Sequence, residues 1–305
     1  MQNKKELYKS KNVYDLRWAN ALKSGDSDII SEGFFETQVQ FFYRKYCNFI
    51  YKRILEYFPN RDLSKINILE IGCGRGTASI YLSNKLNCRV TGIDFSEISI
   101  QIARENSRRH YSNNDFFVAD LFDPESIIKS SDNNLSKFDV VISLGVLEHI
   151  ESIDKCFQIH NQLLVDNGLF CAMIVPEKKS IQDKFSLINR SLIKFNNFIK
   201  ISKTRDLEHL DKKTLSKTKD VYRSIEDAFF YEEKLKKANF EIVYSIETNP
   251  FPTIRPLGIY FEKLLVFIYK LISYIFFFFN RKSIFFNCNK KISRCHFLLG
   301  RKSNI

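Results

Sequence analysis

The sequence predicts an α/β protein with an open, mostly parallel β-sheet and helices on both faces. Residues 66–77 read I-N-I-L-E-I-G-C-G-R-G-T: an apolar, β-branched run, a glycine loop and the start of a helix. Further on, the runs 88–94 and 115–120 each end in an aspartate. Ligands of open α/β sheets bind beyond the carboxyl ends of the strands, so these endings also predict where a ligand lies.

Composition excludes several classes of protein. The chain has 305 residues and can bury a full core without disulfides or metals. Its seven cysteines form no C-x-x-C pair, which argues against a disulfide framework or zinc site and fits a cytoplasmic protein. The five histidines form no pair with metal-ligand spacing, so no metal is expected. The first residues lack the apolar stretch of a signal peptide.

The net charge of +12 is unevenly distributed. Residues 1–177 carry 21 Lys and Arg against 23 Asp and Glu, whereas residues 178–305 carry 26 against 12. Such asymmetry suggests an anionic partner, namely a membrane surface, an acidic acceptor or a nucleic acid. The alternative is a solvated basic surface with no specific partner.

Residues 1–60 are predicted to be helical and to precede the sheet. Apolar side chains recur at helical spacing between Gly33 and Phe58, and Pro59 ends the pattern. Tyr14 and Trp18, the one tryptophan, lie in an aromatic segment ahead of it.

The glycine loop at 72–76 follows the first strand directly. Glycine lets the backbone turn sharply and lets a ligand lie against it without an intervening Cβ. Asp94 ends the next strand, roughly 20 residues past the loop, where an acid can accept hydrogen bonds from both ribose hydroxyls. Either Asp94 or Ser96 can cap the helix that follows.

The remaining strands continue the pattern. Residues 138–143 read F-D-V-V-I-S and run into L-G-V-L-E-H-I at 144–150. We then expect a helix at 156–165, a turn at 166–168 and a fifth strand at 169–176. A helix at 231–238, closed by Asn239, precedes a sixth strand at 240–246.

The G-x-G-x-G spacing, with Glu70 two residues before the first glycine, resembles the class I S-adenosylmethionine (SAM)-dependent methyltransferases. The F-D-V-V-x-S and L-E-H-I runs resemble the small-molecule type of that family. The resemblance covers 66–177 well, and 230–246 with 292–302 loosely. It implies a Rossmann-like three-layer sandwich with a seven-stranded sheet, whose last strand, at 294–302, is antiparallel.

The resemblance also implies SAM as cofactor and a set of residues that hold it. Asp120 would face the adenine amino group, and its neighbours would supply a backbone contact. The N-terminal helices would form a cap, with Tyr14 and Trp18 as lid candidates, unless these two residues only pack their helix onto the sheet. The predicted cofactor-binding residues are Glu70, Gly72, Cys73, Gly74, Gly76, Asp94, Phe95, Asp120, Leu121 and Leu144.

Residues 61–305 are therefore predicted to form the SAM-binding domain behind the helical cap at 1–60, with two insertions. The first, at about 178–229, is polar and Lys-rich and is expected beside the acceptor. The second, at about 251–291, contains an almost wholly apolar run at 264–279, which is shorter than the roughly 20 residues of a spanning helix. We expect peripheral contact between 264–279 and an anionic membrane. The alternatives are a dimer interface or a helix packed within the protein; the oligomeric state is left open.

Methyl transfer from a sulfonium requires mainly proximity and orientation. A base is needed only where the acceptor must lose a proton, and His149, after the fourth strand, is the candidate. The alternative is that His149 only packs or caps its helix.

The predicted function is methyl transfer to a small-molecule, saccharide or lipid-linked acceptor. An RNA or DNA methyltransferase is a weaker alternative, because neither the Asn/Asp-Pro-Pro-aromatic motif nor a Pro-Cys pair follows the fourth strand. A SAM-binding scaffold without turnover, or an aminopropyl transferase of the same fold, is the second alternative.

Overall fold

The computed structural model describes residues 2–24, 27–30, 36–130, 137–199, 222–254 and 258–304. Its seven strands form one sheet in the order β3-β2-β1-β4-β5-β7-β6. They are β1 Ile68–Ile71, β2 Val90–Asp94, β3 Asn114–Val118, β4 Phe138–Leu144, β5 Leu164–Ile174, β6 Phe240–Thr248 and β7 Cys295–Lys302. β7 is antiparallel to both of its neighbours, and the other pairings are parallel. The predicted sheet is confirmed.

Ten α-helices surround this sheet within the described part of the chain. They are α1 Gln2–Ser24, α2 Gln38–Tyr57, α3 Thr77–Leu86, α4 Glu97–Arg109, α5 Pro124–Ser130, α6 Ile153–Leu163, α7 Ile181–Lys184, α8 Ser186–Ile199, α9 Ala228–Lys237 and α10 Ile259–Asn280. Short 3₁₀ turns lie at Leu63–Lys65 and Leu147–His149.

The helices form the two outer layers of a sandwich. One apolar cluster joins α2, α3 and α10 to one face of the sheet, and a second joins α6 and α9 to the other face. α2 begins with a capping box, in which the Thr37 hydroxyl accepts from the Gln40 N–H and the Gln40 side chain accepts from the Thr37 N–H. Its buried residues Phe41, Ile50 and Ile54 repeat at helical spacing, as predicted. The predicted start of this helix at Gly33 lies outside the described residues.

One local prediction is wrong. Residues 166–168, expected as a turn before the fifth strand, lie inside β5. The register against β4 shifts there, since Phe138 pairs with Leu164 but Val140 pairs with Leu169. Asn167 adopts a φ of 58°, so the turn chemistry makes a bulge within the strand and does not end it.

The second insertion contains one long helix. α10 has 22 residues and extends beyond the predicted apolar run at both ends. It packs on α2, where the ring of Tyr269 stacks on Phe42 and Phe251 with centroids 6.2 and 4.7 Å apart. No helix among the described residues has both the length and the apolarity that crossing a bilayer requires.

Candidate active site

Three loops meet at the carboxyl edge of the sheet. β1 lies between β2 and β4, with Ile71 paired to Ile93 on one side and to Ser143 on the other. The loop after β1 carries the glycines, the loop after β2 carries Phe95 and Ser96, and the loop after β4 carries His149. The predicted site residues on these neighbouring strands therefore lie along one edge.

The glycine loop is a tight turn that tolerates no side chain at Gly72 or Gly74. Gly72 and Gly74 have φ of 72° and 53°, in the left-handed region that glycine adopts at no steric cost. A Cβ on Gly72 would lie 2.3 Å from Cγ2 of Val146, in the loop after β4. A Cβ on Gly74 would lie 2.8 Å from the Trp18 ring. Hence both the neighbouring loop and α1 approach the glycine backbone directly.

Glu70 connects β1 to the helix that follows the loop. Its Oε2 accepts hydrogen bonds from the backbone N–H and the hydroxyl of Ser79, at 2.8 and 2.5 Å. The side chain is 3% exposed. Burial raises the pKa of Glu70 to about 7, against the opposing effect of the Ser79 hydrogen bonds. This carboxylate therefore fixes the start of α3, the helix that directly follows the glycine loop.

Asp94 ends β2 and is held by two loops. Its Oδ2 accepts from the Gly74 N–H and its Oδ1 accepts from the Ser96 N–H, both at 2.9 Å. Burial raises the pKa of Asp94, although both backbone hydrogen bonds favour the charged form. Ser96 rather than Asp94 caps α4, with its hydroxyl accepting from the Ser99 N–H. The aspartate therefore aligns the glycine loop with the end of β2.

The first helix covers all three loops. Trp18 lies against Gly74, and the guanidinium of Arg75 lies 5.5 Å from its ring centroid. The ring of Tyr14 meets Phe95 and His149 edge-on, with centroids 5.8 and 5.9 Å away. Tyr14 and Trp18 thus pack on the loops at the edge of the sheet, and their role as a lid over a cofactor stays a prediction.

A polar contact adds to this cover. The Ser96 hydroxyl donates to Asp15, which lies on α1 between the two aromatic residues. Sequence reasoning missed Asp15, because the partner that gives it a role lies in a separate element.

His149 is oriented by a backbone carbonyl. Its Nδ1 lies 2.9 Å from the carbonyl oxygen of Tyr222. A carbonyl only accepts, so Nδ1 carries a proton and Nε2 of the neutral ring has a free lone pair. Burial is the main cause that lowers the pKa of His149, and Arg223 and Arg17 act in the same direction. The ring is therefore neutral near pH 7.

Glu148 is a buried acid beside this histidine that sequence reasoning missed. It is 2% exposed, and its Oε1 lies 3.9 Å from Nε2 of His149. Burial raises the pKa of Glu148 to about 7, while Arg223 acts in the opposite direction. The residue is buried because the chain returns over it: the Ser224 N–H donates to the Glu148 carbonyl oxygen at 2.7 Å.

The remaining predicted residues lie at the same edge. Cys73 is buried, and its N–H donates to the Ile93 carbonyl oxygen at 2.9 Å. Asp120 accepts from the Phe122 N–H at 2.9 Å, and Leu121 next to it is buried. Leu144 closes β4 and is 9% exposed. Their contacts to a cofactor remain predictions.

Within the described ranges, no group of three or more His, Cys, Asp and Glu side chains is arranged to hold a metal ion.

Comparison with known proteins identifies similar chains. Residues 62–242 match a family model described as a methyltransferase domain. A ubiquinone biosynthesis O-methyltransferase of Pelagibacter ubique is 31% identical over 122 residues, which is 40% of this chain and 47% of that protein. The protein of the same name from Pasteurella multocida is 28% identical over 128 residues, 41% of this chain and 47% of its own length. The chain thus spans about half the length of the curated relatives it matches.

A solved structure shares the fold. The structure of a Galdieria sulphuraria protein titled as a sarcosine dimethylglycine methyltransferase covers 85% of this chain and 86% of its own, with a TM-score of 0.50 and 13% identity. At this identity the likeness concerns the fold alone.

Proposed function

The chain belongs to the methyltransferase domain family, whose class I members use S-adenosylmethionine, and we propose that it transfers the cofactor's methyl group to a hydroxyl of an apolar, lipid-linked acceptor. The observation that carries the proposal is the orientation of His149. Its protonated Nδ1 is fixed on the Tyr222 carbonyl, and its unprotonated Nε2 is available at the edge where the cofactor loops end.

The residues at this edge fit the cofactor. The glycine loop offers backbone that a ligand can approach without meeting a Cβ, and Asp94 offers a carboxylate one strand away. In the proposed complex Asp94 accepts from the ribose hydroxyls, and Asp120 lies by the adenine amino group. When bound, the cofactor supplies a methyl group already activated by its sulfonium.

The protein then contributes two things to the methyl transfer: it positions the acceptor, and it accepts one proton. The acceptor hydroxyl loses its proton to Nε2 of His149 as the oxygen–carbon bond forms and the carbon–sulfur bond breaks. The imidazolium that results keeps its hydrogen bond to Tyr222, which favours the charged form. The ring of Tyr14 also contacts the His149 ring edge-on, with the two centroids 5.9 Å apart. Such positioning removes much of the entropic part of the barrier.

An apolar acceptor is supported by the surface beside His149. Tyr222, whose carbonyl orients the histidine, has an exposed side chain, as do Ile225 and Phe229 in the segment that follows. The two curated relatives described above are named for ubiquinone biosynthesis, and their names support a hydroxylated, lipid-linked acceptor. Arg223 and Glu226 of the same segment are exposed as well, so polar groups lie among these apolar side chains.

Replacing His149 tests the base. We expect His149→Ala to lower kcat by about a hundredfold or more, because general bases contribute roughly 10²–10⁴. Binding of S-adenosylhomocysteine, measured by calorimetry, is expected to stay unchanged. The assay would follow labelled methyl transfer to hydroxylated aromatics with and without prenyl tails.

The pH profile gives a second readout of the same role. A base acts when deprotonated, so kcat/KM should fall as pH drops through a pKa below the ordinary histidine value of about 6.5. The variant should lose this limb. Normal turnover in His149→Ala would return the residue to a packing role, and transfer to sugars alone would contradict the acceptor class.

A further inference from the structure

The outer face of α10 is an apolar surface that no other described part of the chain covers. Twelve large apolar side chains of this 22-residue helix are exposed. They include Leu264, Phe267, Ile268, Leu271, Ile275 and Phe278. An exposed apolar surface of this kind in a folded protein marks a site of interaction. We refer to these exposed side chains of α10 as the apolar face.

Two of the three charged residues of α10 bond to the body of the protein, and the third, Lys263, is half-buried. Glu262 is buried, and its Oε1 accepts from the Gln38 N–H at 2.9 Å. Lys270 donates to Oε1 of Glu36 at 2.8 Å, and Glu36 is 1% exposed. The lysine that breaks the apolar run in the sequence is therefore paired on the inner side.

Both ends of α10 return to the same edge of the sheet. The helix lies between the carboxyl end of β6 and the start of the antiparallel β7. The N–H of Arg294 donates to the carbonyl oxygens of Thr248 and Asn249 at 3.1 Å, which joins the two ends of the insertion. Since α10 also packs on α2, it lies along the body of the protein with its outer face free.

Cations stand at the end of the apolar face. Arg281 and Lys282 follow α10 directly, and both are exposed, as is Lys291 nearby. No acidic side chain of α10 is exposed, because its one acid, Glu262, is buried. A partner that complements an apolar face with cations at its end has an apolar surface bordered by anionic groups. A second copy of α10 packed in parallel would instead bring the same cations together, and an antiparallel pair would leave both basic ends without an anionic partner from the helix.

We propose that the apolar face of α10 docks on the surface of an anionic lipid bilayer, with Arg281 and Lys282 at the headgroups. The helix inserts its aromatic and aliphatic side chains to the depth of the acyl boundary and does not cross. The carboxyl edge with His149 is the edge from which α10 emerges, so docking brings the active site close to the membrane. The inference concerns binding and does not require the transfer reaction proposed above.

Vesicle flotation tests the proposal with the full chain. We expect the wild-type protein to float with vesicles of equal parts phosphatidylglycerol and phosphatidylcholine. Leu271→Glu should lower the partition coefficient about tenfold or more, because an inserted leucine side chain is replaced by a charge. Leu22→Glu is the matched control, because Leu22 is 49% exposed on α1 and Leu271 is 46% exposed on α10. This control should bind as the wild type does.

The basic end is tested separately. Arg281→Gln combined with Lys282→Gln should weaken binding to the anionic vesicles about 25-fold, at about fivefold, or roughly 1 kcal/mol, per cation. Binding to pure phosphatidylcholine should change little. Circular dichroism and calorimetry with S-adenosylhomocysteine would show that each variant is folded and binds the cofactor product.

Two results would overturn the proposal. One is equal flotation of the wild type and Leu271→Glu, or no flotation of either. The other is a wild-type dimer in sedimentation that Leu271→Glu converts to a monomer without any vesicle binding, which would make the apolar face a self-association surface. Loss of S-adenosylhomocysteine binding in the wild type would contradict the proposed function and leave the docking result intact.

Discussion

Asp94 is the residue on which the cofactor end of the site depends. Both of its oxygens accept backbone hydrogen bonds, one of them from Gly74 in the glycine loop. The carboxylate therefore shapes the loop as well as facing the proposed ribose.

We expect Asp94→Ala to weaken binding of S-adenosylhomocysteine by roughly ten- to a hundredfold, since hydrogen bonds to a charged group contribute about 1.5–3 kcal/mol. Calorimetry would measure the affinity. Asp115→Ala is the control, because Asp115 lies at the opposite end of the neighbouring strand, paired with Arg89. Unchanged affinity in Asp94→Ala would remove the ribose assignment.

Glu148 makes stability depend on pH. A glutamate in the unfolded chain has a pKa of about 4.3, whereas burial raises the pKa of Glu148 to about 7. The folded state therefore holds this proton more tightly. Its contribution to stability is complete below about pH 4 and is lost as pH rises through about 7.

Between pH 5 and pH 8, we expect the unfolding free energy of the wild type to fall by on the order of 3 kcal/mol more than that of Glu148→Gln. Urea denaturation at the two pH values would measure it. Glu70 contributes with the same sign, so part of the slope should persist in the variant. Glu151→Gln, at an exposed position, should keep the wild-type slope. A slope in Glu148→Gln equal to that of the wild type would contradict the assignment.

At the scale of single residues, the sequence predicts those roles that depend on residues adjacent in the chain. The glycines and Asp94 are recognisable because a strand precedes each of them at fixed spacing. The tautomer of His149 cannot be recognised from the sequence, since it depends on a carbonyl 73 residues away. The burial of Glu148 likewise depends on a segment that returns from a long insertion.

At the scale of elements, α1 and α10 show the same limit. Residues 1–60 are predicted to be helical and 264–279 to be almost wholly apolar, but the sequence does not show what the sides of either helix meet. Lys270 reads as an interruption of the apolar run, and its partner Glu36 lies 234 residues away in sequence. Because Glu36 also accepts from Arg44, one buried acid joins α10 to α2.

We expect Glu36→Gln to destabilise the protein by about 2 kcal/mol, because two cations lose a shared, buried acceptor. Urea denaturation at neutral pH would measure the change. Glu56→Gln removes the exposed partner of Arg53 on α2 and should have almost no effect. Equal effects of the two variants would show that the Glu36 cluster adds nothing beyond a surface ion pair.

At the scale of the whole molecule, the succession of strands along the chain and the uneven charge are both visible in the sequence. The near-neutral part of the chain builds the sheet edge with the glycine loop, and the basic part supplies α7 to α10 and the last two strands. Their meeting place depends on β7 running antiparallel, as the resemblance implies, and on its position between β5 and β6, which the sequence does not reveal. That arrangement brings the start of β7 and the ends of β5 and β6 to one edge.

The position of Trp18 has a practical consequence. The indole is the only one in the chain, and it lies against Gly74 with two guanidinium groups, from Arg17 and Arg75, within 6 Å of its ring centroid. Whatever enters the glycine loop must alter the surroundings of this ring. The unlabelled protein therefore carries its own optical reporter: under excitation that its 14 tyrosines do not absorb, the emission comes from a single indole beside the glycine loop.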